Sequence, residues 1–333
     1  MQNTPCFMLS SIESLPLKYS LREHFATAMT EKKPQSLLFG FVSHKLRILN
    51  LIRPKKFSLH PSDLHLLFNM AVSSSSLHTS ELWSPVCFPR FNNKGFLFVY
   101  ISMLLPDVFM YLVTTKQDCF YELFEHRNSI IHYLNSKNAI ADLQQFLDCS
   151  DDYLLLPEKI DTLLTKWICF KSKTYVQHIS FLGKHIAQKY SSKSLQSSNP
   201  LPSNIPANFE SNSAHASTAP FFGSKEQKRI FKMFRYCKKQ LSEDSAFNFN
   251  QNDVLPSLTS ITNQNTKHSG SSKVCYFNTA FDQIVAWSTT DFEIYGSFKI
   301  ESDPEQITSI LNSIVKYIRR NYEFLFVSNS PTY

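Results

Sequence analysis

The chain has 333 residues, enough for two domains each with its own core. Its formal net charge is +7, from 34 Lys and Arg against 27 Asp and Glu, so the placement of the charge matters more than its size. Only 6 glycines occur, at 40, 95, 183, 223, 270 and 296, no two closer than 26 positions, which excludes a dinucleotide fingerprint, a Walker loop, a kinase glycine loop and a nucleophile elbow.

The 7 cysteines are scattered, the nearest pair 20 positions apart, with no CxxC, and the 11 histidines form neither HExxH nor HxxxH. No cofactor or metal is implied, and scattered thiols fit a reducing compartment, the cytosol. The N-terminal MQNTPCFMLSSIESLPLK lacks the basic start and unbroken apolar run of a signal peptide.

Leu37 to Val42 and Leu46 to Ile52 read as strands joined at Ser43-His44-Lys45. A helix is predicted from Pro61, with Asp63 in its first turn and Leu64, Leu67, Phe68 and Ala71 on one face. Strands are predicted over Ser84 to Arg90, Phe96 to Leu104 and Val108 to Thr115. The segment 95–113 is long and apolar enough to test as a membrane span, but Pro106 and Asp107 at its middle read as the turn of a buried hairpin. Asp118 then caps a helix carrying Phe120, Leu123, Phe124, Ile130, Ile131 and Leu134, followed by a shorter helix near Ile140 to Leu147. The order is ββαβββαα.

A second unit repeats this plan. Strands near Trp167 to Phe170 and Tyr175 to Phe181 precede a helix at Ser224 to Leu241, three strands at Val274 to Asn278, Gln283 to Ser288 and Phe292 to Phe298, and a helix capped by Asp303 with Pro304 at its first position and Ile307, Ile310, Leu311, Ile314 and Ile318 on one face. Two Ser/Asn/Pro-rich stretches, 191–220 and 242–272, have the composition of disordered insertions. The fold class is α+β: two domains, each an antiparallel five-stranded sheet packed by helices.

Five segments, LRILNLIRPKKFSLHPSDLHLLFNM (46–70), WSPVCFPRFNNKGFL (83–97), CFKSK (169–173), IVAWSTTDFEIY (284–295) and FLFVSNSPTY (324–333), resemble the vacuolar fusion protein Mon-one family. The resemblance implies longin domains. Residues 36–150 correspond to the family's second, 151–333 to its third with both insertions inside it, and 1–35 to a linker and remnant of the preceding domain. The first longin domain, which in the family touches the GTPase, is then expected to be absent from this chain. The resemblance also implies a heterodimer with the Ccz-one protein, guanine-nucleotide exchange on the late-endosomal GTPase Rab seven through that complex, and a cytoplasmic location, peripheral on late-endosome and vacuole or lysosome membranes. This chain would be a non-catalytic scaffold subunit. The alternative is a longin adaptor that binds lipid or SNARE-like partners without exchange.

The strongest charge feature is the predicted helix from Ser224, with seven cationic side chains against Glu226 alone. Lys225, Lys228, Lys232, Arg235 and Lys239 follow one another at spacings of 3, 4, 3 and 4, a single basic stripe, while Ile230, Phe234 and Leu241 face elsewhere. The stripe suits an anionic membrane surface or an acidic partner surface, and nucleic acid is not implied. A bland reading, a solvated face, stands beside it. His60, Asp63 and His65 in HPSDLH read as capping and packing rather than a metal site, Trp83, Trp167 and Trp287 as core or interface, and Lys55 and Lys56 as a solvated turn. A Cys-His or Ser-His pair would meet only in space, and no local motif points to one.

Overall fold

The computed structural model describes residues 5–74, 77, 80–148, 155–157, 159–160, 163–189, 224–242 and 273–328. Both Ser/Asn-rich insertions lie outside these residues except for Ser242. The described residues fall into two units: one gathers those of Pro5–Asp148, Lys171–Ile179 and Tyr317–Tyr333, the other those of Cys149–Phe170 and Ser180–Lys316.

In the first unit the chain forms α1 (Pro5–Leu9), β1 (Ile12–Ser14), α2 (Tyr19–Thr30), β2 (Leu37–His44), β3 (Arg47–Ile52), α3 (Pro61–Ser73), β4 (Leu82–Phe88), β5 (Asn92–Leu105), β6 (Val108–Thr114), a 3-10 turn at Gln117–Cys119, α4 (Phe120–Ser136) and α5 (Ala139–Asp148). From β2 to α5 this is the ββαβββαα order. The strand order is β4-β5-β6-β2-β3-β1. Five strands are antiparallel, as expected, but β1 adds a sixth that runs parallel to β3 through Glu13 opposite Arg47 and Ser14 opposite Ile48. The antiparallel expectation holds for the β2–β3, β4–β5 and β5–β6 hairpins and for the long-range β2–β6 pair; β1 enters from a separate helical segment, so no hairpin dictates its direction.

Strand β6 is buried along its whole length, which alternation explains. Phe109, Tyr111 and Val113 share one core with Phe39, Phe41, Val99 and Ile101 and with Leu64, Leu67, Phe68 and Ala71 of α3. Val108, Met110 and Leu112 face the other way and are equally buried. Helices α2, α4 and α5 pack on one another and on β3 and β5, burying Leu21, Phe25, Leu123, Ile130 and Leu134. The apolar segment at 95–113 is the β5–β6 hairpin, with Asp107 in the left-handed region at φ 62°. Among the described residues no helix is long and apolar enough to cross a membrane.

Strands β7 (Thr165–Ser172) and β8 (Gln177–Leu182) are shared between the two units. The second unit continues with α6 (Lys225–Ser242), β9 (Lys273–Asn278), β10 (Gln283–Ser288), β11 (Phe292–Phe298) and α7 (Pro304–Arg320); the short α8 (Tyr322–Leu325) returns to the first unit. The strand order is β7-β11-β10-β9, with β10 antiparallel to both neighbours. Pro304 opens α7 as expected, the Asp303 carbonyl accepts from Ile307 N at 3.0 Å, and Ile307, Leu311, Ile314 and Ile318 are buried.

Candidate functional site

Helix α6 packs on β9 and β10 and buries Gln227, Ile230, Phe231, Phe234 and Cys237. The Phe234 ring lies 5.2 Å from Trp167 and 5.7 Å from Tyr295, so one apolar stripe anchors the helix. Burial of each such side chain contributes about 1.5–3 kcal/mol. Cys237 shares a hydrogen bond with Cys275 of β9, and that contact and burial both push the Cys237 thiol pKa up.

Anchoring fixes the rotation of the helix and thereby sorts its charges. Glu226 turns to Lys189 at 3.3 Å and Lys166 at 3.8 Å, and Arg229 turns to Asp282. Asp282 is 1 % exposed and also takes Lys166 at 2.5 Å. The one acid of the helix is therefore spent inside its own unit. Lys225, Lys228, Lys232, Arg235 and Lys239 all lie on the exposed face, the stripe that their spacing predicts. Like charges three and four apart destabilise a helix by about 0.2–0.5 kcal/mol per pair, so the stripe works against folding and the buried face offsets it.

Two exposed aromatic rings belong to this region, Tyr236 on the helix next to Arg235 in the chain and Phe281 against Arg229. Tyr236 is 53 % exposed and meets Phe277 edge-on at 5.6 Å; Phe281 is 60 % exposed with the Arg229 guanidinium 4.6 Å above its ring. Cations beside exposed aromatics are a composition suited to a lipid–water interface.

The remaining candidates resolve as structural. His60 is the N-cap of α3, its Nδ1 accepting from Ser62 N at 3.1 Å. Asp63 is buried and accepts from Arg90 N at 3.3 Å and Phe91 N at 3.0 Å, tying the β4–β5 turn to α3. His65 is buried between Phe7 and Phe68 with Nε2 3.2 Å from the Ser11 carbonyl. Trp167 and Trp287 are core, Trp83 is half-buried on Phe98, and Lys55 and Lys56 are exposed.

One cluster has no signal in the sequence. Cys6 of α1 and His178 of β8 stand 172 positions apart, yet Cys6 Sγ lies 3.7 Å from His178 Nε2. Ser11 Oγ holds His178 Nδ1 at 2.9 Å, and Glu13, opposite His178 in the parallel β1–β8 register, is paired with Arg47 at 3.2 Å. His178 is fully buried, and burial pushes its pKa down to about 4 against a smaller opposing pull from Glu13, so the ring is neutral.

Comparison with known proteins places these elements in a family. Residues 35–132 match the family described as the second longin domain of FUZ, MON1 and HPS1, and residues 187–322 match the third longin domain of the same three. The chain is similar to vacuolar fusion protein MON1 homolog A of Gallus gallus, 25 % identical over all of this chain and 50 % of that protein. It is 31 % identical to vacuolar fusion protein MON1 of Yarrowia lipolytica over 53 % of this chain and 32 % of that protein, and 24 % identical to the Homo sapiens homolog A over its full length and 42 % of the relative. The chain spans about half the length, or less, of the curated relatives it matches. The second and third longin domains in order, with MON1 relatives aligned along the whole of this chain, mean that this chain belongs to the MON1 family.

Proposed function

We propose that this chain acts in fusion with the vacuole or lysosome as a scaffold subunit. It pairs with Ccz-one in an exchange complex for the late-endosomal GTPase Rab seven, and it is held on anionic membrane by helix α6. Family membership supports the setting. The observation that carries membrane placement is the sorted charge of α6: its acid and Arg229 pair within the unit, and five cations at helical spacing lie exposed on the helix that also exposes Tyr236. Each Lys or Arg near an anionic surface contributes about 1 kcal/mol, so the five together supply about 5 kcal/mol, a weak and reversible attachment that a second contact of the assembled complex would reinforce.

Exchange is not covalent chemistry. An exchange factor stabilises the nucleotide-free GTPase, and the energy for that comes from the contact surface. The matched domains are the second and third longin domains, so these residues are assigned assembly and placement, and no exchange residue is named among them. Co-expression with Ccz-one followed by size-exclusion chromatography tests the pairing: co-elution is expected, and separate elution overturns it. The alternative, a longin adaptor that binds lipid or SNARE-like partners without exchange, would leave the chain independent of Ccz-one in the same experiment.

A further inference from the structure

The cluster around His178 has the geometry of a metal centre. The ligand atoms of Cys6, Glu13 and His178 all lie within 4.8 Å of one another, and Cys6 and His178 are buried while Glu13 is partly so. A tetrahedral zinc with Zn–S near 2.3 Å and Zn–N near 2.05 Å sets sulfur and nitrogen about 3.6 Å apart. The Sγ to Nε2 separation here is 3.7 Å.

Three features of the fold prepare these ligands. The β1–β8 and β1–β3 registers set Glu13 directly across from both His178 and Arg47, so the three side chains lie in a row across three strands. Arg47 Nε donates to Glu13 Oε1, and a carboxylate accepts on both oxygens, so Oε2 remains able to turn to a cation. Ser11 Oγ, in the turn between α1 and β1, lies 2.9 Å from Nδ1 of His178, and in the tautomer protonated at Nδ1 it accepts that proton and leaves the Nε2 lone pair facing Cys6. A carboxylate, backbone carbonyl or water on the far nitrogen is the usual way a ligating imidazole is oriented, and the Ser11 hydroxyl stands in that place here.

We propose that Cys6, Glu13 and His178 bind one divalent cation of the thiolate- and imidazole-preferring kind, zinc above all, with a fourth position left for solvent. Binding replaces the thiol proton: Cys6–SH and M²⁺ give the Cys6 thiolate–metal bond and one proton released to solvent. The thiolate selects against magnesium and calcium, which take oxygen ligands. Cys6 sits on the five-residue α1, so the metal would clip this otherwise short helix onto the sheet through β1 and β8.

The test uses the full chain, stripped of metal and titrated with Co²⁺. One Co²⁺ per chain is expected, with a thiolate-to-cobalt charge-transfer band that equimolar Zn²⁺ abolishes. The band should be lost in Cys6→Ser, kept in Cys275→Ser, and weakened about tenfold or more in affinity by Ser11→Ala. Where Cys6→Ser does not fold, peptide-resolved alkylation of the native chain replaces it: Zn²⁺ should slow labelling of Cys6 and leave Cys87 unchanged. No band, a band that survives Cys6→Ser, or equal labelling of Cys6 with and without Zn²⁺ overturns the site.

Discussion

Arg229 lays its guanidinium on the buried carboxylate of Asp282, with Nη2 at 2.6 Å and Nε at 3.1 Å from Oδ2, while Lys166 Nζ takes Oδ1 at 2.5 Å. The pairing separates cations that build the fold from cations that face out. Asp282 also accepts at its backbone carbonyl from Thr279, so one residue ties α6, β7 and the β9–β10 turn together. Asp282→Ala leaves two cations facing a desolvated site and is expected to cost about 3 kcal/mol, read as a lower urea midpoint. Arg235→Ala on the exposed face should stay within about 0.5 kcal/mol. Equal losses in the two variants would show that this division of the helix is wrong.

Reversing Lys228, Lys232 and Arg235 to Glu should abolish flotation with vesicles containing anionic lipid and leave the melting temperature within a few degrees of the parent. Binding of the parent should weaken steeply between 0.05 M and 0.3 M salt, because exposed charges are screened beyond a Debye length of about 10 Å at 0.1 M. Flotation indifferent to both salt and charge reversal would remove the membrane role of α6.

Nucleotide release tests the assignment of placement without exchange. Paired with Ccz-one, these 333 residues are expected to accelerate release of a fluorescent nucleotide from Rab seven far less than a three-longin version does. The charge-reversed triple variant of the longer version should exchange normally in solution and lose only its vesicle-stimulated rate. Fast release by the 333-residue chain would mean that the second and third longin domains hold exchange residues after all.

His126 of α4 is buried, and that burial lowers its pKa; the Met29 carbonyl raises it, Lys33 lowers it and Glu122 raises it, with a net shift below the ordinary 6.5. The unfolded chain therefore binds a proton at a pH where the folded chain does not. Its contribution to stability is complete above pH 6.5 and is lost as pH falls through 6.5 toward the lower folded value, with a slope of at most about 1.4 kcal/mol per pH unit. Urea unfolding at pH 7.5 and 5.5 should show a smaller acid loss in His126→Leu than in the parent. An identical loss would place the proton uptake on other groups.

Gly183 follows β8, where a Cβ would stand 2.1 Å from the Thr165 carbonyl oxygen. Its own carbonyl accepts from Ile186 N at 2.9 Å and Ala187 N at 3.2 Å, so the backbone cannot retreat without breaking the turn. Gly183→Ala should cost more than about 3 kcal/mol, whereas Gly95→Ala, which meets only Asn92 at 3.5 Å, should be nearly neutral in thermal melts. Tolerance at Gly183 would show that the close approach relaxes freely.

Local signals carried much of the architecture because each depends on neighbours in the chain. Periodicity placed α3, α6 and α7, Pro304 marked a helix start, and Pro106-Asp107 turned an apparent membrane span into the β5–β6 hairpin. The stripe of five cations was legible because helical spacing alone sets which side chains share a face. The opening segment was not read as structure: α2 buries Leu21, Phe25, Ala28 and Met29 at helical spacing, a weak pattern in a stretch where Arg22 is also buried. Tertiary structure decided what spacing cannot. It turned Glu226 and Arg229 inward, made Asp63 and His65 interior groups, ran β1 parallel to β3, and brought Cys6 within reach of His178 across 172 positions. Those choices come from burial and strand pairing between segments far apart in the chain; loop closure costs little more for a long loop than for a short one, so many distant partners are open to each segment and the spacing of neighbouring residues does not select among them.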